Sequence, residues 1–155
     1  MSDYAGIIAM GLAMGLGIVV LWRLVEVRRR HQLAAARKLF HQRREWLEAK
    51  FVELASVKAR PRGLNWKDCD FDDHVTFARD RRSGALAAFV AITISFEAIE
   101  GGGMEEVEAV GNLRAATAVF QHAAGQWTTA GRAIMNLEPA EAIQRFDQAL
   151  DLISD

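Results

Sequence analysis

Apolar and polar positions follow three different patterns along this chain. From Ala5 to Leu21 the run AGIIAMGLAMGLGIVVL carries no charge and has no polar face. As a helix, with Tyr4 and Trp22 at its ends, it rises about 27–28 Å, close to the roughly 30 Å of a bilayer's hydrocarbon core. Tyr and Trp favour the two interfaces, and Leu24, Val25 and Val27 extend the run if Arg23 snorkels. The pattern predicts a transmembrane anchor over residues 1–23. A cleaved signal peptide would need a basic head and a small-residue cleavage site. The head is MSDY, and the run ends in LWRLVEVRRR.

The second pattern is helical. Residues 24–59 contain neither Pro nor Gly and are rich in Leu, Ala, Arg, Glu and Lys. Leu33, Phe40, Leu47 and Leu54 recur every seventh position, and Leu39, Trp46 and Phe51 widen the stripe. The alternate seam of Ala36, Arg43, Lys50 and Val57 is too poor for a long coiled coil. A basic juxtamembrane stalk over 24–60 is expected, its stripe packed on the protein's own sheet or on one partner helix. Arg60-Pro61-Arg62-Gly63 ends it.

The third pattern, over 61–155, has period two. Val90, Ile92, Ile94 and Phe96 alternate with Ala91, Thr93, Ser95 and Glu97, as in a strand with one apolar face. One or two short strands are expected before the Asp80–Gly84 turn. A hairpin is expected from Ala115–His122 and Trp127–Leu137. Pro139 suits a helix's first turn, and Ala142, Ile143, Phe146, Ala149, Leu150 and Ile153 share one helical face. The fold class is α+β: anchor, stalk, then a small antiparallel sheet of about four or five strands packed with a C-terminal helix.

Charge sharpens this division. Residues 1–62 hold 12 Lys/Arg against 5 Asp/Glu, whereas 63–155 hold 7 against 15. Basic residues crowd the C-terminal flank of the span, which puts the N-terminus outside and the domain in the cytoplasm by the positive-inside rule. Arg28, Arg29 and Arg30 are candidate contacts for anionic lipid headgroups, worth about 1 kcal/mol each. Nucleic acid is not an expected partner, because the acidic domain would repel phosphate. The lone Cys69 rules out an internal disulfide.

Candidate sites follow from composition more than from motifs. Gly11 and Gly15 form a GxxxG pair for helix packing. The stretch Gly101-Gly102-Gly103-Met104-Glu105-Glu106-Val107-Glu108-Ala109-Val110-Gly111-Asn112 falls between two predicted strands. Its glutamates would repel an anion, so it is expected to be a mobile connector with a helical turn at Met104–Val110. Arg132 could anchor it through Glu105 or Glu108, or could simply face outward. Cys69, Asp70, Asp72, Asp73 and His74 are ligand types at a spacing that matches no metal motif. No catalytic, cofactor-binding or metal-ligating set emerges.

These readings together predict a single-pass protein of the inner (plasma) membrane. It would be an accessory or structural subunit of a larger membrane complex, or a homodimer, docking through its cytoplasmic domain. Trp46, Phe51, Met104, Glu105, Glu106 and Glu108 are the expected contacts. The alternative is a membrane-tethered ligand-binding or enzymatic domain, with a pocket between the sheet and loop 101–112 walled by Phe89, Trp127 and loop carboxylates.

Overall fold

A computed structural model describes residues 2–58, 61–145 and 149–153. Arg60 and Phe146 lie outside the described residues, as does the Tyr4 side chain. The chain divides into two compact units, Met1–Leu39 and Phe40–Asp155.

The first unit is helical throughout its described residues and belongs to α1, Ser2–Gln42. From Ile8 to Val27 every large apolar side chain described there is 42–71% exposed. The helix is long and apolar enough to cross a membrane. Space beside Gly11 and Gly15 is open.

The second unit begins with the end of α1. A turn at Arg43, whose N–H donates to the Phe40 carbonyl at 3.1 Å, separates α1 from α2, Arg44–Lys58. The expected uninterrupted stalk is therefore two helices. The tighter bond to the third residue back replaces one ordinary helical turn.

The α+β expectation is met by one antiparallel sheet in the order β4-β3-β2-β1-β5. Its strands are β1 Leu64–Asp80, β2 Leu86–Ala98, β3 Arg114–Ala123, β4 Gln126–Met135 and β5 Leu150–Ile153. Helix α3, Pro139–Arg145, lies between β4 and β5. Where one or two short strands were expected, β1 runs unbroken for 17 residues. Its alternation is hidden in sequence because register slips twice, between Trp66 and Asp68 and between Phe71 and Val75. Each bulge moves the inward set, so the inward positions become Trp66, Cys69, Phe71, Val75 and Phe77.

The C-terminal expectation needs a larger correction. The apolar positions from Ala142 to Ile153 do not form one helical face. Helix α3 is described over Pro139–Arg145, and Leu150–Ile153 pairs with Phe77–Asp80 as β5. Without that pairing the end of β1 would leave backbone groups unpaired at a sheet edge, so the ladder outcompetes a longer helix.

Both sheet faces carry a core. On one, Phe40 packs edge-on to Phe77, Phe120 and Trp127 at 5.8, 5.4 and 5.1 Å. Leu47, Phe51 and Ala55 of α2, each at 0% exposure, continue it. Helix and sheet approach closely at Gly131 (φ +70°), where a Cβ would lie 2.6 Å from Leu54 Cβ. That glycine sits in a bulge where Thr129 to Gly131 oppose Phe120, pinned by the Thr129 hydroxyl donating to the Val119 carbonyl at 3.0 Å. On the other face Ala142 and Ile143 of α3 cover Ala78, Phe89 and Val119. The Thr117 hydroxyl there donates to the Leu137 carbonyl at 2.6 Å, leading β4 into α3.

Candidate functional site

Beyond the part of the sheet face covered by α2 (Arg44–Lys58), the same face continues through Leu64, Phe96, Arg114 and Met135. This remainder is roofed by the segment between β2 and β3, which includes a 3-10 turn at Glu108–Gly111. The triple glycine is a packed turn, because its backbone is held from two sides. The Gly102 N–H donates to the Ile99 carbonyl at 2.8 Å, and the Ile99 N–H donates to the Gly63 carbonyl at 2.9 Å. Gly63 and Gly102 lie so close that a Cβ on Gly102 would sit 3.1 Å from the Gly63 Cα. Two bare backbones are needed at that crossing.

The roof does not fill the space beneath it. A cavity of about 370 Å³ remains, floored by Leu64 and Phe96 and roofed by Met104, Val107 and Val110. Met135, Asn136 and Arg114 complete the wall, and Arg114 is its sole charged member. Among the described residues Arg114 makes no ion pair or hydrogen bond. Phe96 is in turn edge-on to Trp66 at 6.1 Å.

Neither Phe89 nor Trp127 nor any loop carboxylate lines this cavity. Phe89 lies in the core under α3 and Trp127 in the core with Phe40, on opposite sheet faces. The loop carboxylates point elsewhere. The Glu105 side chain accepts from the Gly101 N–H, while Glu106 and Glu108 are exposed. Backbone N–H groups, its own first and that of Gly101 after it, hold the Glu105 carboxyl below its ordinary pKa range. Arg132 does not anchor this loop. It lies on the α3 face, lining a cavity with Asp80 and Gln121.

Of the expected contact residues, Met104 is half-buried against Gly63 and the cavity. Phe51 is inside the core at 0% exposure and offers no surface. Phe51 lies on the apolar stripe of the stalk, and in α2 that stripe is packed on the sheet. Trp46 is exposed, with Lys50 Nζ 4.9 Å and the Arg43 guanidinium 6.0 Å from its ring centroid. Arg28, Arg29 and Arg30 are exposed on α1, Arg30 paired with Glu26 at 3.2 Å.

The acidic stretch of β1 is occupied by structural bonds. Asp72, Asp73 and His74 form the bulge opposite Ala91. Arg44 donates to the backbone carbonyls of Asp73, at 2.7 Å, and of Asp72, while Asp72 Oδ1 accepts the His74 N–H at 2.7 Å. Cys69 faces inward, and burial first, then Asp70 and Glu48, pushes its thiol up to about 12. Among the described residues no group of three His, Cys, Asp or Glu is placed to hold a metal ion.

Sequence reasoning missed Leu64, Phe96, Arg114 and Met135 as partners. The one available signal was Arg114, a charge at the mouth of a strand whose neighbours are small and apolar. Comparison with family models, with curated proteins and with solved structures finds no match to this chain.

Proposed function

We propose that the chain is a single-pass membrane-anchored interaction protein, an accessory or structural subunit of a larger complex in the inner (plasma) membrane. One observation carries the reading: the apolar side chains from Ile8 to Val27 stay 42–71% exposed. An apolar surface of that length has no stable place in water and suits a bilayer. The open sides of Gly11 and Gly15 suit close approach by another span, from a different subunit or a second copy. Arg23 and Arg28–Arg30 favour an external N-terminus and a cytoplasmic domain, with the arginines near anionic headgroups. The exposed Trp46, held between Arg43 and Lys50, and the acidic rim of Glu105, Glu106 and Glu108 are the docking candidates.

A C-terminally tagged chain extracted in mild detergent tests this reading. It should resist carbonate washing of membranes and bring stoichiometric membrane proteins with it. Recovery in the soluble fraction removes the anchor, and emergence alone or as a homo-oligomer removes the accessory-subunit reading. Protease added outside intact cells should spare the C-terminal domain, and digestion of that domain reverses the topology.

A further inference from the structure

We propose that the cavity beneath the 104–110 roof binds a small amphiphile with an anionic head, of the medium-chain carboxylate class, with Arg114 holding the head. This goes beyond the anchored-subunit reading and does not depend on which proteins co-purify.

Three observations converge on it. The cavity, at about 370 Å³, falls at the low end of the roughly 300–1,000 Å³ typical of small-ligand sites. Its floor and roof are apolar, with Leu64 and Phe96 below and Met104, Val107 and Val110 above. These groups match an alkyl chain and offer nothing to a polar body. The wall then carries one charge, the guanidinium of Arg114. It makes no ion pair or hydrogen bond among the described residues, although its domain is rich in carboxylates. Of the three loop glutamates, Glu105 is committed to the Gly101 N–H, and among the described residues neither Glu106 nor Glu108, both exposed, pairs with Arg114. Arg114, an exposed residue at the edge of a cavity with an apolar floor and roof, can hold a carboxylate in a two-pronged hydrogen-bonding geometry.

The roof is also suitably built. Its triple-glycine end is fixed by the Gly63 crossing, so the cavity exists before a ligand arrives and needs no ordering of a loose loop.

The test uses the full chain in nanodiscs, with a decanoate carrying a photoactivatable diazirine at its tail and, separately, the matching decanol probe. Crosslinked peptides are mapped by mass spectrometry. Both probes should label the anchor helix, which serves as an internal control. The decanoate probe alone should strongly label the peptides containing Met104–Val110 and Met135, and excess unlabelled decanoate should compete. Arg114→Gln should weaken cavity labelling about tenfold, since a charge-assisted bond is lost, and Arg114→Lys, which keeps the charge without the two-pronged geometry, should retain only part of it. Ala109→Trp, at an exposed wall position, should abolish cavity labelling and leave the anchor signal unchanged. Labelling confined to the anchor overturns the proposal. So does cavity labelling that is equal for acid and alcohol and indifferent to Arg114→Gln.

Discussion

Leu16 and Phe51 are both large apolar side chains in the middle of a helix, yet Leu16 is 67% exposed and Phe51 is 0% exposed. Around Leu16 every neighbour on the helix is apolar or small, so no side of the helix is distinguished from any other. Around Phe51 the apolar positions recur as Leu47, Phe51 and Ala55 while Glu48, Lys50 and Glu53 take the other sides. A striped helix has one face to bury and a sheet can bury it, whereas an unstriped one calls for an apolar surrounding on every side. The two helices therefore differ in how their apolar side chains are arranged around the axis. The same contrast separates glycines: beside Gly15 there is open space, while beside Gly131 there is the backbone of α2.

The sharpest way to break this comparison is truncation at both places. Phe51→Ala should cost the folded domain about 3–5 kcal/mol, as large aromatic deletions in cores do. Leu16→Ala should leave the domain's melting unchanged, both read by near-ultraviolet circular dichroism of the full chain in detergent. Equal effects would mean that the first unit's apolar surface is covered by protein after all. The glycines give the next largest effect. Gly131→Ala combines a positive φ with a Cβ 2.7 Å from the Ala55 backbone nitrogen. It should cost about 2–4 kcal/mol from strain and overpacking together. Gly15→Ala should leave domain stability untouched, and a fully tolerated Gly131→Ala would show that α2 does not rest on β4 there.

The smallest effect concerns Cys69. Its thiol is pushed up from the ordinary 9.0 to about 12, by burial first. A raised pKa means the folded state holds the proton more tightly. The resulting stability is complete below pH 9.0 and is lost as pH rises towards 12. Cys69→Ser should flatten that alkaline decline. At pH 8 iodoacetamide should modify the native chain far more slowly than the urea-unfolded chain, and equal rates would place the thiol in solvent.

Legibility in the sequence followed the regularity of each element. Strand β2 has no irregularity of its own, so Val90, Ile92, Ile94 and Phe96 announced both the strand and its inward face. Strand β1 carries two bulges, and its inward residues lose period two although every one of them is apolar or a thiol. The tail failed for a different reason. Leu150 and Ile153 fit a helical face with Ala142 and Ile143 and fit a short strand as well, and local pattern cannot choose between them. The walls of the cavity were not legible in the sequence. Its floor comes from β1 and β2 and its rim from β3 and β4, so residues as distant as Leu64 and Met135 meet only in the folded sheet.

The charge-free helix, the striped helix behind it and the strands with clean alternation were legible locally, because each depends on residues within a few positions of one another. Long-range packing made the triple glycine a close crossing against Gly63, joined the tail to the edge of β1 and set Arg114 beside an apolar cavity. Each of those depends on two distant backbones meeting. Whether they meet is settled by which edge or face is still uncovered once the sheet has formed.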